Sequence, residues 1–405
     1  SAYYCCRSMS SPTTTTNTGK SSSPASDPVR VSIAQLCSTG NKLNNLLDVA
    51  KCAGLAKREG SKMLFLPECF GFIGESSQQT LQEAEPPVAV GVESSSSTSS
   101  DNHCRDDDKQ QQSVVNEKIV SDALVLTICR EAAATGTTAS KNDDKNATSN
   151  DKQVVHGIHD CEHISLLDGL KTIARESNLW LSAGGMHEGG APPRDDSNGQ
   201  SRVYNSHVII DNTGTVQCVY RKIHLFDVSI PDEGVHLRES ATTAPGTKLV
   251  VCDSPIGRLG VTTCYDLRFP EMYTQLVREG GAQILLVPSA FTVPTGKAHW
   301  HTLLRARAIE NQCYLLAAAQ YGKHNRKRES YGHALAVDPW GRILADAGGS
   351  DGPGSSPSEG TLDDDDAVAA TTPSIVTCNI DLNVMQSIQE RMPIQQHRDA
   401  CKFSF

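Results

Sequence analysis

A chain of 405 residues with 37 basic and 47 acidic side chains has a formal charge of −10. That balance excludes a general nucleic-acid binder, which needs a basic face for phosphates. Only 38% of the chain is hydrophobic, below the roughly 45–50% of a globular domain, so part of it lies outside any core. No apolar run approaches the roughly 18–20 residues of a membrane span. The 14 cysteines form no CxxC pair and are too few for a disulfide scaffold, so free thiols in a reducing compartment are expected. The chain begins with Ser1, so a targeting peptide cannot be read. A cytoplasmic setting is expected, with a mitochondrial or other organellar one left open.

In chain order, residues 1–28 read as a disordered segment, because Ser8–Asp27 is nearly all Ser, Thr, Pro, Asn and Gly and cannot repay the entropy of ordering. Val29–Leu36 alternates as a strand. Asn41–Glu59 places Leu43, Leu46, Leu47, Ala50 and Leu55 on one helical face, closed by Gly60. Lys62–Pro67 is a short buried strand. A polar, low-complexity insertion follows at about 93–163, with one amphipathic helix expected at Asn116–Glu131. Leu166–Glu176 is helical and Leu179–Gly184 extended. Val203–Asp211 and Thr215–Tyr220 flank Asn212-Thr213-Gly214 as a hairpin.

Arg258–Thr263 and Ile284–Val287 are strands on either side of a helix, Pro270–Glu279, with proline at its start. A helix at Ala298–Asn311 precedes a strand at Tyr314–Ala319. Ala334–Asp338 and Arg342–Ala345 form a second hairpin. After a polar acidic loop at about 348–366, Ser374–Ile380 closes the sheet before a last helix from Leu382. Hairpins mixed with strand–helix–strand units mean an α/β fold with mixed sheets, here one domain over 29–400 interrupted by polar decorations.

Three apolar strands end in reactive residues: Glu68 after Leu64–Pro67, Lys222 after Cys218–Arg221, and Cys264 after Gly260–Thr263. Brought together, a thiol, a carboxylate and an amine suffice to hydrolyse an amide. The thiolate attacks the carbonyl carbon, the carboxylate moves protons, and the ammonium stabilises the oxyanion. Taken singly, each has an ordinary reading as a helix cap, a solvated lysine or a small buried hydrophobe. The amide-hydrolysing chemistry calls for no metal or cofactor. His299 and His301 have metal-friendly spacing, but on a helix i and i+2 point apart, so a structural or surface role is expected for them.

At these residues the chain resembles the nitrilase superfamily of carbon–nitrogen hydrolases. The matching segments are Leu66-Pro67-Glu68, Tyr220-Arg221-Lys222-Ile223-His224-Leu225-Phe226-Asp227 and Cys264-Tyr265-Asp266-Leu267-Arg268-Phe269-Pro270-Glu271. The resemblance implies a four-layer αββα sandwich that pairs into homodimers or higher oligomers. It implies Cys264 as nucleophile, Glu68 as general base and acid, and Lys222 as oxyanion stabiliser. Glu239 and the backbone N–H of Tyr265 take supporting roles. Thr263, beside the nucleophile, stands where the family mostly carries an apolar residue, and Lys297 where it more often carries proline.

Within the superfamily, Thr295–Trp300, Arg305–Tyr314, Ala317–Gln320, Ser330–His333 and Asp338–Gly341 resemble the branch of amidases acting on deaminated glutathione. The branch of ω-amidases, acting on α-ketoglutaramate, is the alternative. A non-catalytic member using its acidic insertion to bind a partner is a further one, although all three reactive residues are present. The implied partners are a small amide and water, with neither nucleic acid nor membrane. A substrate with carboxylates at its ends needs cations, for which Arg268, Arg326 and Arg328 are candidates; for Arg268 a structural salt bridge to a nearby carboxylate is the favoured expectation.

Overall fold

The computed structural model describes residues 27–91, 165–194, 201–230, 235–350 and 372–401. Most of the N-terminal segment, the polar insertion with its expected helix at Asn116–Glu131, and most of the acidic loop lie outside the described residues.

The first half of the chain runs β1 (Val29–Leu36), α1 (Lys42–Arg58), β2 (Met63–Leu66), α2 (Ser77–Gln82), α3 (Leu166–Ser177), β3 (Trp180–Ala191), β4 (Arg202–Ile210) and β5 (Val216–Arg221). A small hairpin of β6 (Asp227–Ile230) and β7 (Val235–Arg238) follows, then β8 (Val250–Ser254), β9 (Gly257–Val261), α4 (Pro270–Arg278), β10 (Ile284–Leu286) and α5 (Val293–Asn311). The chain closes with β11 (Tyr314–Ala317), β12 (Ala319–Lys323), β13 (Glu329–Tyr331), β14 (Leu335–Val337), β15 (Ile343–Asp346), β16 (Ser374–Ile380), α6 (Leu382–Arg391) and α7 (Ile394–Ala400).

Two mixed sheets result. The larger has the order β13-β12-β1-β2-β3-β4-β5, with β16 antiparallel to β1; the smaller has the order β15-β14-β11-β10-β9-β8. β2 shows why they stack. Its four residues are all buried, and they divide by parity: Leu64 and Leu66 join α1 and α3 in one core, whereas Met63 and Phe65 join the residues between the sheets. A strand buried on both faces reads as a continuous apolar run. On the far side, Leu285 of β10 meets Leu276 of α4 around Gly260, and Trp300 and Leu304 of α5 complete that cover. The fold is therefore a four-layer αββα sandwich. No helix among the described residues is long and apolar enough to cross a membrane.

Local chemistry sets the element ends. The Asn41 side chain caps α1 by accepting from Asn44 N at 2.9 Å, and Asn178 ends α3 in the left-handed conformation with φ 55°. The apolar face of α1 differs from the expected one. Leu46 and Ala50 are buried, but Leu43, Leu47 and Leu55 are only half-buried, and Val49, Cys52, Ala53 and Ala56 fill the contact instead. Small residues win because α3 lies close, with Gly169 against Leu46. The expected strand at Tyr314–Ala319 is in fact two: β11 belongs to the smaller sheet, and after Ala318 the chain crosses to the larger as β12. A run that is apolar throughout carries no periodicity to mark the crossing. β3 runs past Gly184 to Ala191, and β6, β7 and β8 were not anticipated.

Leu46 is fully buried, so Leu46→Ala should cost about 2–5 kcal/mol. The urea midpoint should fall with an unchanged slope.

Candidate active site

The three reactive residues meet at one end of the sandwich. β2 stops at Leu66, and the chain turns sharply after Glu68, where Cys69 has φ 56° and its N–H donates to Gly185 O at 2.8 Å. Glycine is required at 185, because a Cβ there would stand 2.7 Å from Asn205 Oδ1 and 3.0 Å from Glu68 Cγ. Lys222 follows β5, its N–H bonded to Asn205 O at 2.9 Å. Cys264 heads a short 3-10 turn after β9 with φ 49°, a left-handed conformation costly for any residue with a Cβ, and is held by its N–H to Pro288 O at 2.9 Å.

Their side chains form one buried network. Lys222 Nζ donates to Glu68 Oε1 at 3.0 Å and to Glu239 Oε2 at 2.9 Å. Glu68 also accepts from Asn205 Nδ2 at 2.9 Å and from Ala290 N at 3.1 Å, and the Cys264 thiol hydrogen-bonds to it. Glu239, returned by the β6–β7 hairpin, is fixed by Phe226 N at 2.7 Å.

Charge states follow from this packing. Burial pushes the Glu68 carboxyl up, but Lys222 and the bonds from Cys264 and Lys222 outweigh it, leaving the group below the usual carboxylate range. Burial also disfavours the Lys222 charge, yet Glu239 and Glu68 hold the ammonium well above the lysine range. For Cys264, burial and then the Glu68 charge push the thiol well above its ordinary value, and Lys222 does not prevail. The resting site is therefore a thiol beside a carboxylate and an ammonium.

Asp266 joins the loops that carry Lys222 and Cys264. Fully buried, it accepts from Thr263 N at 3.0 Å and Tyr220 Oη at 2.6 Å through one oxygen, and from His224 N at 3.0 Å through the other. Neither Asp266 nor Asn205 stood out in the sequence. The available signal was the polar interruption Asn205-Ser206-His207 inside the apolar strand Val203–Ile210.

Above the network lies a cavity of about 640 Å³ whose lining includes Glu68, Lys222, Glu239, Cys264, Tyr265, Arg238, Arg268 and Arg328. Arg328 is half-buried, and the charges nearest it are those of the site, among them Glu68 and Glu239. Arg326 is exposed and lines no part of this cavity, so only the second of the two candidates in that loop reaches it. Among the described residues, the expected salt bridge of Arg268 to a carboxylate is not formed. Its guanidinium lies 5.7 Å from the Tyr265 ring centre and 5.6 Å from that of Phe291, and it meets His299 Nδ1 at 3.3 Å. His299 and His301 do point apart. His301 Nε2 lies 3.1 Å from Asp346, which also binds His333 Nδ1 at 2.9 Å. Those three donor atoms fall within 4.8 Å of one another, close enough to hold a metal ion; in this structure they satisfy each other and tie α5 to the β14–β15 hairpin.

Residues 115–356 match the family model described as carbon-nitrogen hydrolase. Deaminated glutathione amidase of Dictyostelium discoideum is 47% identical over 58% of this chain and 71% of its own. The Mus musculus protein of that name is 34% identical over 91% of this chain and 82% of its own. Among solved structures, the Caenorhabditis elegans NitFhit protein superposes with a TM-score of 0.61 at 31% identity, covering 93% of this chain and 67% of that one.

The raised thiol has a direct readout. Alkylation of Cys264 by iodoacetamide should keep accelerating above pH 9, with no plateau at or below it. Mass-spectrometric rates for the Cys264 peptide measure this; an earlier plateau would mean that the Lys222 charge outweighs burial.

Proposed function

This chain belongs to the nitrilase superfamily of carbon–nitrogen hydrolases, and on that premise we propose that it is an amidase that cleaves deaminated glutathione through a thioester on Cys264. The observation that carries the reading is the Lys222 ammonium wedged between Glu68 and Glu239, with the Cys264 thiol bonded to Glu68. One carboxylate thus faces both the nucleophile's proton and the cation.

In the proposed reaction the Cys264 proton passes to Glu68 as sulfur attacks the amide carbon. Lys222 and the backbone N–H of Tyr265 hold the resulting oxyanion. Protonated Glu68 then gives its proton to the departing amine and leaves a thioester. Glu68 next takes a proton from water, whose oxygen attacks the thioester, and the acid departs as the thiol regains its proton. The sum is an amide plus water giving a carboxylic acid plus an amine.

The substrate follows from charge and from the relatives' names. Deaminated glutathione carries a keto group in place of the glutamyl amine and a carboxylate at each end, and the cavity presents Arg238, Arg268 and Arg328. The products would be 2-oxoglutarate and cysteinylglycine.

Purified protein should release 2-oxoglutarate from deaminated glutathione, and Cys264→Ala should abolish it. Lys222→Ala should lower kcat by about 100- to 1,000-fold. A preference for α-ketoglutaramate, followed as ammonia, would move the assignment to an ω-amidase, and no turnover of either amide by folded protein would favour a binding role. Because Glu68 must be ionised to accept the proton and is held below its ordinary value of 4.5, activity should be lost as pH falls through that lowered value. The acid limb of kcat/KM should therefore lie below pH 4.5.

A further inference from the structure

Beside Glu68 the cavity contains a pair of groups that the proposed mechanism does not use. His187 lies on β3 directly across from Asn205 of β4. Cross-strand partners share a face of the sheet, with Cβ atoms about 5 Å apart, so the imidazole stands next to the amide that holds Glu68 and Glu239. Its neighbour Glu188 points to the opposite face, where Arg221 and Ser206 bind it. His187 lines the cavity, and among the described residues its side chain has no hydrogen-bond partner. Arg328 lines the same cavity, and its charge weighs more on His187 than any other. The Arg328 guanidinium makes no hydrogen bond or close ion pair with any described residue.

Resting on the function proposed above, we propose that His187 and Arg328 form a subsite for a 2-oxo carboxylate, the end of the substrate that distinguishes a deaminated compound from its parent amino acid. Arg328 pairs with the carboxylate through two parallel N–H bonds. His187 donates one N–H to the keto oxygen. Burial, and then the Arg328 charge, push the imidazole down to about 4, so the ring is neutral at neutral pH and adds no second cation. An amino acid in the same place would set an ammonium against Arg328 and offer His187 no acceptor. The subsite thus selects a keto group over an amine at the carbon next to the carboxylate.

Calorimetric binding to the Cys264→Ala protein tests this with three small acids: 2-oxoglutarate, glutarate without the keto oxygen, and L-glutamate with the amine. 2-Oxoglutarate should bind at least about tenfold more tightly than either of the others. Adding His187→Ala should remove most of its advantage over glutarate, whereas His187→Gln, which keeps a neutral N–H donor, should restore part of it. Arg328→Gln should weaken 2-oxoglutarate and glutarate together. Equal weakening of these two acids by His187→Ala, or no change, would overturn the assignment, as would equal binding of glutamate and 2-oxoglutarate; thermal melting of each variant separates these results from misfolding. The proposed substrate is tested apart from this: if Cys264-intact protein leaves deaminated glutathione uncleaved while the binding order holds, the substrate is wrong and the subsite stands.

Discussion

The Lys222 ammonium between Glu68 and Glu239 is the interaction on which the site depends. An ammonium only 2% exposed is tolerable when opposite charges lie at 3.0 and 2.9 Å and their remaining oxygens are also bonded. Asn205 and Ala290 take up Glu68, and Phe226 takes up Glu239. The consequence is asymmetric. Lys222 keeps Glu68 ionised, burial and then Glu68 keep the neighbouring thiol protonated, and that proton sits on sulfur beside the carboxylate that would accept it in the proposed reaction. Charge separation in the ground state is thereby confined to the groups that need it.

The fold serves this arrangement by bringing three strand ends from two sheets to one place. Glu68 and Lys222 leave strands of the larger sheet, and Cys264 leaves a strand of the smaller. Nothing within a sheet would hold the two groups in register, and that task falls to a few polar crossings. Asp266 binds Tyr220 and His224 on the Lys222 side and the Thr263 backbone on the Cys264 side. The β11 to β12 crossing adds a second tie, because it places Gln320 where its amide donates to both Glu68 O and Ser38 Oγ. These bonds are buried, so losing one partner strands the other without water.

How much of this was legible in the sequence differs from one feature to the next. Strand and helix identities followed from periodicity, and hairpins followed from turn residues such as Asn212-Thr213-Gly214. Strands buried on both faces hid their boundaries, as at Tyr314–Ala319, where an unbroken apolar run conceals the change of sheet. The site residues were readable only through matched blocks. Spacing alone could not join Glu68 to Cys264, since the contact depends on how two sheets stack. Arg268 was misjudged for a related reason. A guanidinium in a segment rich in acids suggests an ion pair, but here the rings of Tyr265 and Phe291 reach it first. Asn205 and His187 sit opposite each other on paired strands that are 18 residues apart in sequence, a relation that only the register displays.

The protonated thiol shares its cavity with three guanidinium groups, those of Arg238, Arg268 and Arg328. A free thiolate in a site lined by Arg238, Arg268 and Arg328 would be reactive toward any small oxidant or electrophile that the field admits. Keeping sulfur protonated at rest removes that hazard. In the proposed reaction, sulfur gives up its proton only when a carbonyl carbon lies close enough for proton transfer and attack to occur together. Burial therefore does more than stabilise the fold: it raises the thiol against the pull of Lys222, and under the proposed mechanism this ties activation of Cys264 to a substrate that fills the space above it.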